Sequence, residues 1–278
     1  MTSPWLVFLR NRAAATALIL LVIITLAAVL ASYFYPQSPW RIVGAPFQPP
    51  MTEGFPLGTD MLGRDLAAGL IHGARVSLLI GLVSTFIALV IGIGIGAFAG
   101  YLGGLADDLL MRLTEIFQTI PSLIFAIVLV AIMGPSIQSI VIAISVVSWP
   151  PVARLVRAEF LSLRRREFVE ASRVLGLPGW RIMLQDILPN AMAPVIVTAT
   201  LMVATAILME SGLSFLGLGD PDMISWGYQI GAARTMLRTA WWMSFFPGVA
   251  IIITVLCLNL LGEGLSDALN PNLNRGRK

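Results

Sequence analysis

Histidine, cysteine and lysine are almost missing from this chain: it has one His (His72), one Cys (Cys257) and one Lys (Lys278, its last residue) in 278 positions. Each scarcity excludes a class of chemistry. A phosphate-binding loop of the form GxxxxGK[ST] needs a lysine inside a strand-to-helix turn, so ATP is not held that way here. One His and one Cys within a single copy build neither a zinc site nor a disulfide, and no metal or other cofactor is expected in the chain. A nucleophile–base or metal cluster of the kind a membrane enzyme needs is missing as well, so the chain is not expected to be an enzyme. Charge is also scarce, at 12% of residues against roughly 25% in soluble domains.

What fills the space is apolar: 57% of residues are hydrophobic and the mean hydropathy is +0.87. Several uncharged runs reach the ~20 residues needed to cross a ~30 Å hydrocarbon core. The expected fold class is all-α, a polytopic membrane protein of six transmembrane helices. Span one is predicted over 13–35, span two over 76–99, spans three and four within 116–153 on either side of Gly134-Pro135, span five over 190–211 and span six over 241–261. The run over 13–35 is too long for a cleaved signal. Prolines crowd 36–73, which reads as an ordered external segment or an interfacial helix. Pro121 and Pro150-Pro151 are expected to kink or end their helices. Residues 1–75 thus hold an N-terminal cytoplasmic tail, the first span and an external loop. Residues 76–278 are expected to form a core of five spans with a polar cytoplasmic loop at about 159–189.

Thirteen of the 18 Lys and Arg residues, Arg275, Arg277 and Lys278 among them, fall on the side that holds both termini, which places that side in the cytoplasm. The basic residues lie in short loops without interleaved aromatics, so membrane topology explains them better than nucleic acid does. A five-span layout with one re-entrant run is the weaker alternative. Gly92, Gly96 and Gly100 share one helical face and read as a site of close helix approach. Gly92-x-Gly94-x-Gly96 has the wrong spacing and context for a dinucleotide fingerprint. Trp226, Trp241 and Trp242 read as interfacial anchors, and the Arg164-Arg165-Arg166 run as a partner for anionic headgroups.

The most polar gap carries the functional signal. Phe168, Ala171, Ser172 and Leu175 recur at i, i+3, i+4 and i+7, while Glu167, Glu170 and Arg173 face the other way. Gly176 closes this short helix, Pro178 prevents its continuation, and a second short helix is expected from Trp180 towards Asp186. Periodicity alone favours an interfacial helix that caps a bundle over a docking element. Among residues inside or near the spans, Glu210 reads as a helix-end carboxylate at the external interface or a lining of the translocation path. Met202 and Met209 read first as packing and second as path residues.

Glu170-Ala171-Ser172, Gly176 and Ile187-Leu188-Pro189 resemble the EAA signature of ABC-importer permeases. Further segments resemble the C-type subunit of the peptide/nickel permease branch: Leu57-Gly58-Thr59-Asp60 with Gly63-Arg64-Asp65, Ser214-Phe215-Leu216-Gly217-Leu218-Gly219, and Ser225-Trp226-Gly227. The resemblance implies the fold of a type I ABC importer permease. It also implies a coupling site made by Glu167, Glu170, Ala171, Ser172, Gly176, Asp186, Leu188 and Pro189. Ser172 departs from the second Ala of the signature, and Asp186 stands where relatives often carry His. The implied role is force transmission in an inner membrane, bacterial or archaeal. The implied partners are a homologous second permease in a heterodimer, two ATPase subunits that bind ATP and Mg, and an extracytoplasmic solute-binding protein. The cargo is left open among dipeptide, oligopeptide, nickel chelate, glutathione and oligosaccharide. The competing expectation is a stand-alone secondary carrier or channel, against which no pair of broken helices recurs in symmetric halves.

Overall fold

A computed structural model describes residues 8–269. Arg275, Arg277 and Lys278, which contribute to the expected charge bias, lie outside the described residues. The described chain is helical, with isolated bridges in place of strands. Among the described residues five helices are long and apolar enough to cross a membrane, and six crossings result if one bent pair is counted as a span.

Helix α1 (Arg12–Val29) starts where Asn11 Oδ1 accepts from the amides of Ala13 and Ala14, at 3.1 and 3.2 Å. At ~1.5 Å per residue its 18 residues cover about 27 Å. A short turn at Ala31–Phe34 leads into the external segment, which is ordered without being helical. Its hub is the buried Thr59, whose hydroxyl donates to Ala45 O at 2.7 Å and accepts from the Gln48 amide at 2.9 Å. Asp60 Oδ1 gathers the amides of Leu62 and Arg64. Gly63, at φ +79°, lies directly against the Gly44 carbonyl, where a Cβ has no room.

Asp65 then caps helix α2 (Leu66–Leu102), its carboxylate accepting from the Ala67 amide at 2.9 Å. The helix starts ten residues before the predicted span. Gly69 and Gly73, which look loop-like in sequence, are there to let Gln229 and Trp226 come close.

Helix α3 (Gly104–Thr119) and helix α4 (Ser122–Met133) form the bent pair, turned by 84° at Ile120-Pro121. The sequence predicts two complete spans between 116 and 153. The first of them is instead a broken one, since the 12 residues of α4 rise only about 18 Å. Pro121 ends α3 as predicted. Pro150 and Pro151 do not end helix α5 (Ile137–Leu163), which continues for twelve residues beyond them. Each proline removes one internal amide, and the dense packing of α5 against α2 holds the helix through the gap.

That packing is the core of the molecule. A Cβ on Gly92 would stand 2.6 Å from Val152 Cβ, one on Gly100 2.5 Å from Phe160 Cβ, and one on Gly96 would meet the Ala153 carbonyl. The three glycines therefore set the distance between the two helices, as their common face suggests.

The remaining elements are helix α6 (Glu167–Val174), a turn at Gly179–Arg181, and a π-helical turn at Ile182–Ile187 that runs into helix α7 (Leu188–Leu213). A second π turn (Ser214–Leu218), helix α8 (Trp226–Ala233) and helix α9 (Trp242–Leu269) complete the fold. Trp226 and Trp242 are not interfacial anchors. Both are buried, and their indole N–H groups donate to Leu70 O and Thr59 O, pinning α8 to α2 and α9 to the external segment. Only Trp241 of the three is exposed.

Candidate functional site

Helix α6 is short because both ends are set locally. Glu167 and Glu170 lie in its first turn, where carboxylates suit the helix dipole, and Arg173 lies in its last. Beyond it Gly176 takes φ +75°, the Gly176 amide donates to Arg173 O at 2.9 Å, and the Leu177 amide donates to Ser172 O at 3.2 Å. This pair of bonds is a Schellman closure, which depends on the left-handed residue. Pro178 then turns the chain into the long element that begins at Gly179.

The helix is held to the rest of the chain through one buried side chain. Val169 is fully buried among Val156, Phe160, Ile182, Met183 and Ile187. The periodic face read from sequence is not what packs inward. Phe168, Ala171 and Leu175 are exposed and Ser172 is half-buried, its hydroxyl returning to Phe168 O. Val174 is 88% and Leu175 78% exposed, and Trp180 beside them is 62% exposed. Val174, Leu175 and Trp180 thus form an exposed apolar patch beside the carboxylates of Glu167 and Glu170.

No separate second helix runs from Trp180 to Asp186. The π turn joins the elbow directly to α7, so Gly179–Leu218 is one element of 40 residues. The wider turn suits Pro189, which lacks an amide and crowds the carbonyl one turn back. Leu188 N–H reaches five residues back to Met183 O, and Asn190 Nδ2 donates to Asp186 O at 2.7 Å. Asp186 is half-buried in this turn and Leu188 packs on the cluster that holds Val169, while Pro189 is exposed.

The helices next to the elbow are joined by groups the sequence does not single out. Arg157 makes a two-pronged ion pair with Asp107, Nη2 to Oδ2 at 2.7 Å, joining α5 to α3. Arg164 is no headgroup partner: its guanidinium donates to Gly100 O at 3.0 Å and closes the end of α2. Gly179 lies against the Tyr101 ring.

The other candidates are not brought to the elbow. Glu210 lies about 36 Å from Asp186 by helical rise, at the opposite end of the same element. It is 1% exposed, so its carboxyl group is packed inside the protein rather than open to water at the interface. Met202 packs against Ala88, Trp149 and Ala153, and Met209 against the cluster around Ile80 and Ile144. His72 Nε2 lies 3.0 Å from Tyr35 O, half-buried and without other ligating groups.

Residues 92–275 match the family described as the inner membrane component of binding-protein-dependent transport systems, and residues 3–50 match the N-terminal TM domain of oligopeptide transport permease C. The chain belongs to this family of inner-membrane permeases: it is a multi-pass transport component, not an enzyme. It is 44% identical to the di/tripeptide transport system permease protein DppC of Pseudomonas aeruginosa, over 97% of this chain and 91% of that protein. It is 41% identical to the oligopeptide transport system permease protein OppC of Haemophilus influenzae, over 95% and 86% of the two chains. The fold is that of an inward-facing structure of the MetNI methionine ABC transporter, with a TM-score of 0.59 at 23% identity, over 73% of this chain and 96% of the other. The expected type I importer permease architecture is the one found.

Proposed function

We propose that this chain is the permease subunit of an ATP-driven importer of peptides or chemically related solutes, and that the elbow from Glu167 to Pro189 is where ATPase movement enters the membrane. The observation that carries the reading is the open face of α6, whose one buried side chain is Val169 and which continues through Gly179 into a membrane-crossing helix. A face so placed takes a push from a soluble subunit and delivers it to a span. Two ATPase subunits, which hold ATP and Mg, a homologous second permease and an extracytoplasmic solute-binding protein complete the system. The elbow and both termini lie on the cytoplasmic side, where Arg154, Arg157, Arg165, Arg166, Arg173 and Arg181 gather. The peptide class follows from the names of the relatives.

Uptake of labelled tri-alanine by membranes carrying the whole system tests this. Glu170→Lys inverts a charge on the docking face, and Gly176→Pro removes both the left-handed residue and its N–H bond. Either variant is expected to insert normally and to abolish ATP-dependent uptake. Wild-type rates with both would refute the proposal.

A further inference from the structure

Two sequence motifs remain unused by the elbow, Ser214-Phe215-Leu216-Gly217-Leu218-Gly219 and Ser225-Trp226-Gly227. The structure joins them at Glu210. Ser214 Oγ donates to Glu210 Oε1 at 2.8 Å from the next turn, and Ser225 Oγ donates to the same oxygen at 2.6 Å across fifteen residues. Ser225 Oγ also caps α8, accepting from the Tyr228 amide at 2.9 Å. The Trp226 amide donates to Ser77 Oγ of α2 at 3.1 Å.

Glycines bring α8 close enough for this. A Cβ on Gly227 would stand 2.8 Å from Glu210 Oε1 and 2.7 Å from Ser211 Cα, and one on Gly231 would stand 2.6 Å from the Ser214 carbonyl. Helix α8 is thus seated on the outer end of the Gly179–Leu218 element by a buried carboxylate, with glycines in place of bulk. The inner end of that element carries the elbow. A buried hydrogen bond to a carboxyl oxygen is directional, and it breaks at a cost when one partner is removed.

We propose that Glu210 is a positioning residue for transport: it locks external helix α8 to the outer end of the element that starts at the elbow, so that α8 and the elbow move as one body. This rests on the importer reading above. Occupancy at the external face then reaches the ATPases, and ATPase closure reaches the external face, through the Glu210–Ser225 contact.

The test uses the complete complex in proteoliposomes, with ATP hydrolysis measured with and without the solute-binding protein loaded with tri-alanine. Glu210→Ala, Ser225→Ala and Gly227→Ala are each expected to assemble and to keep basal hydrolysis within about twofold of wild type. Stimulation by the loaded binding protein should fall about tenfold, inside the usual range of coupling between sites. Glu210→Gln keeps an accepting oxygen for Ser225 and should retain most of the stimulation, which a merely structural loss would not predict. Undiminished stimulation in Glu210→Ala overturns the proposal. So does an equal fall in basal and stimulated rates, or failure of all three variants to assemble, because the contact then serves folding rather than transmission. A wild-type complex that neither takes up tri-alanine nor responds to the binding protein would instead refute the importer reading.

Discussion

Val169 offers the sharpest separation between holding the elbow and using it. Val169→Ala removes two methyl groups from a fully buried site bounded by Val156, Phe160, Ile182, Met183 and Ile187. At about 0.8 kcal/mol per buried methylene, plus a contribution from the cavity left behind, the loss is about 2 kcal/mol. In most helices a loss of that size is spread over several contacts. Here the other apolar side chains of α6 point outward, so nearly all of it falls on the equilibrium between docked and undocked elbow, a shift of about 30-fold. Amide hydrogen exchange across 167–175 should accelerate by that factor while exchange in α2 and α5 stays unchanged, and uptake should fall with normal insertion. Val174→Ala is the counterpart: Val174 is 88% exposed, so exchange should not change, yet the ATPase should bind more weakly. Unchanged exchange in Val169→Ala, or equal acceleration in Val174→Ala, would show that α6 is held by something other than this one side chain.

Gly96→Leu should prevent stable accumulation, because its Cβ meets the Ala153 carbonyl and stands 2.8 Å from Val156 Cβ. Gly94→Ala, with nothing within 4 Å, should be neutral in a thermal-stability assay of the detergent-solubilised protein. Asp107→Ala leaves Arg157 without its acid and should cost roughly 1–3 kcal/mol, less than a fully buried pair because Arg157 is a third exposed. The exchanged pair Asp107→Arg with Arg157→Asp should recover part of that in the same assay. Burial pushes the Asp65 carboxyl up, against the opposing pull of the Ala67 and Ala68 amides. The fold therefore favours its protonated form, and stability is lost as pH rises from the ordinary carboxylate range through the raised value. Asp65→Asn keeps the cap, so its melting temperature should gain on wild type as pH rises from the ordinary carboxylate range through the raised value, and a constant difference would contradict the assignment.

Local chemistry explains which parts of this architecture can be read from the chain. Gly176 and Pro178 announce the end of α6 because a left-handed residue and a missing amide act on their immediate neighbours. The spacing of Gly92, Gly96 and Gly100 announces a helix contact because one face of one helix carries it. Val169 could not be found this way: its partners on α5 and in the π turn lie in other elements, and within α6 the stronger 3–4 periodicity marks the face left exposed. The same blindness misplaces Trp226 and Trp242. An aromatic at a predicted span end suits an interface, and only tertiary structure supplies Leu70 O and Thr59 O as indole acceptors. Pro121 marks a break, but the 84° that turns a predicted span into a bent pair depends on what α4 packs against.

Glu210 shows why a buried charge near a span end is the hardest residue to read. By composition alone, a carboxylate there belongs in water, since burying one without partners costs several kcal/mol. Oε1 has its partners while Oε2 is buried without one, and Ser225 comes from fifteen residues on, arriving only because Gly227 and Gly231 carry no side chains. The glycines that look like turn formers in sequence are therefore spacers for a polar contact, as Gly73 is for the Trp226 amide. The two ends of the 40-residue element are built in opposite ways. The elbow end is packed by apolar side chains, Val169 against Ile182, Met183 and Ile187. The outer end is tied by hydroxyls, a carboxyl group and glycine-spaced backbone. Apolar packing is non-directional, whereas hydrogen bonds and close backbone contact also fix orientation, so the outer end sets the angle of α8 more tightly than the inner end sets that of α6.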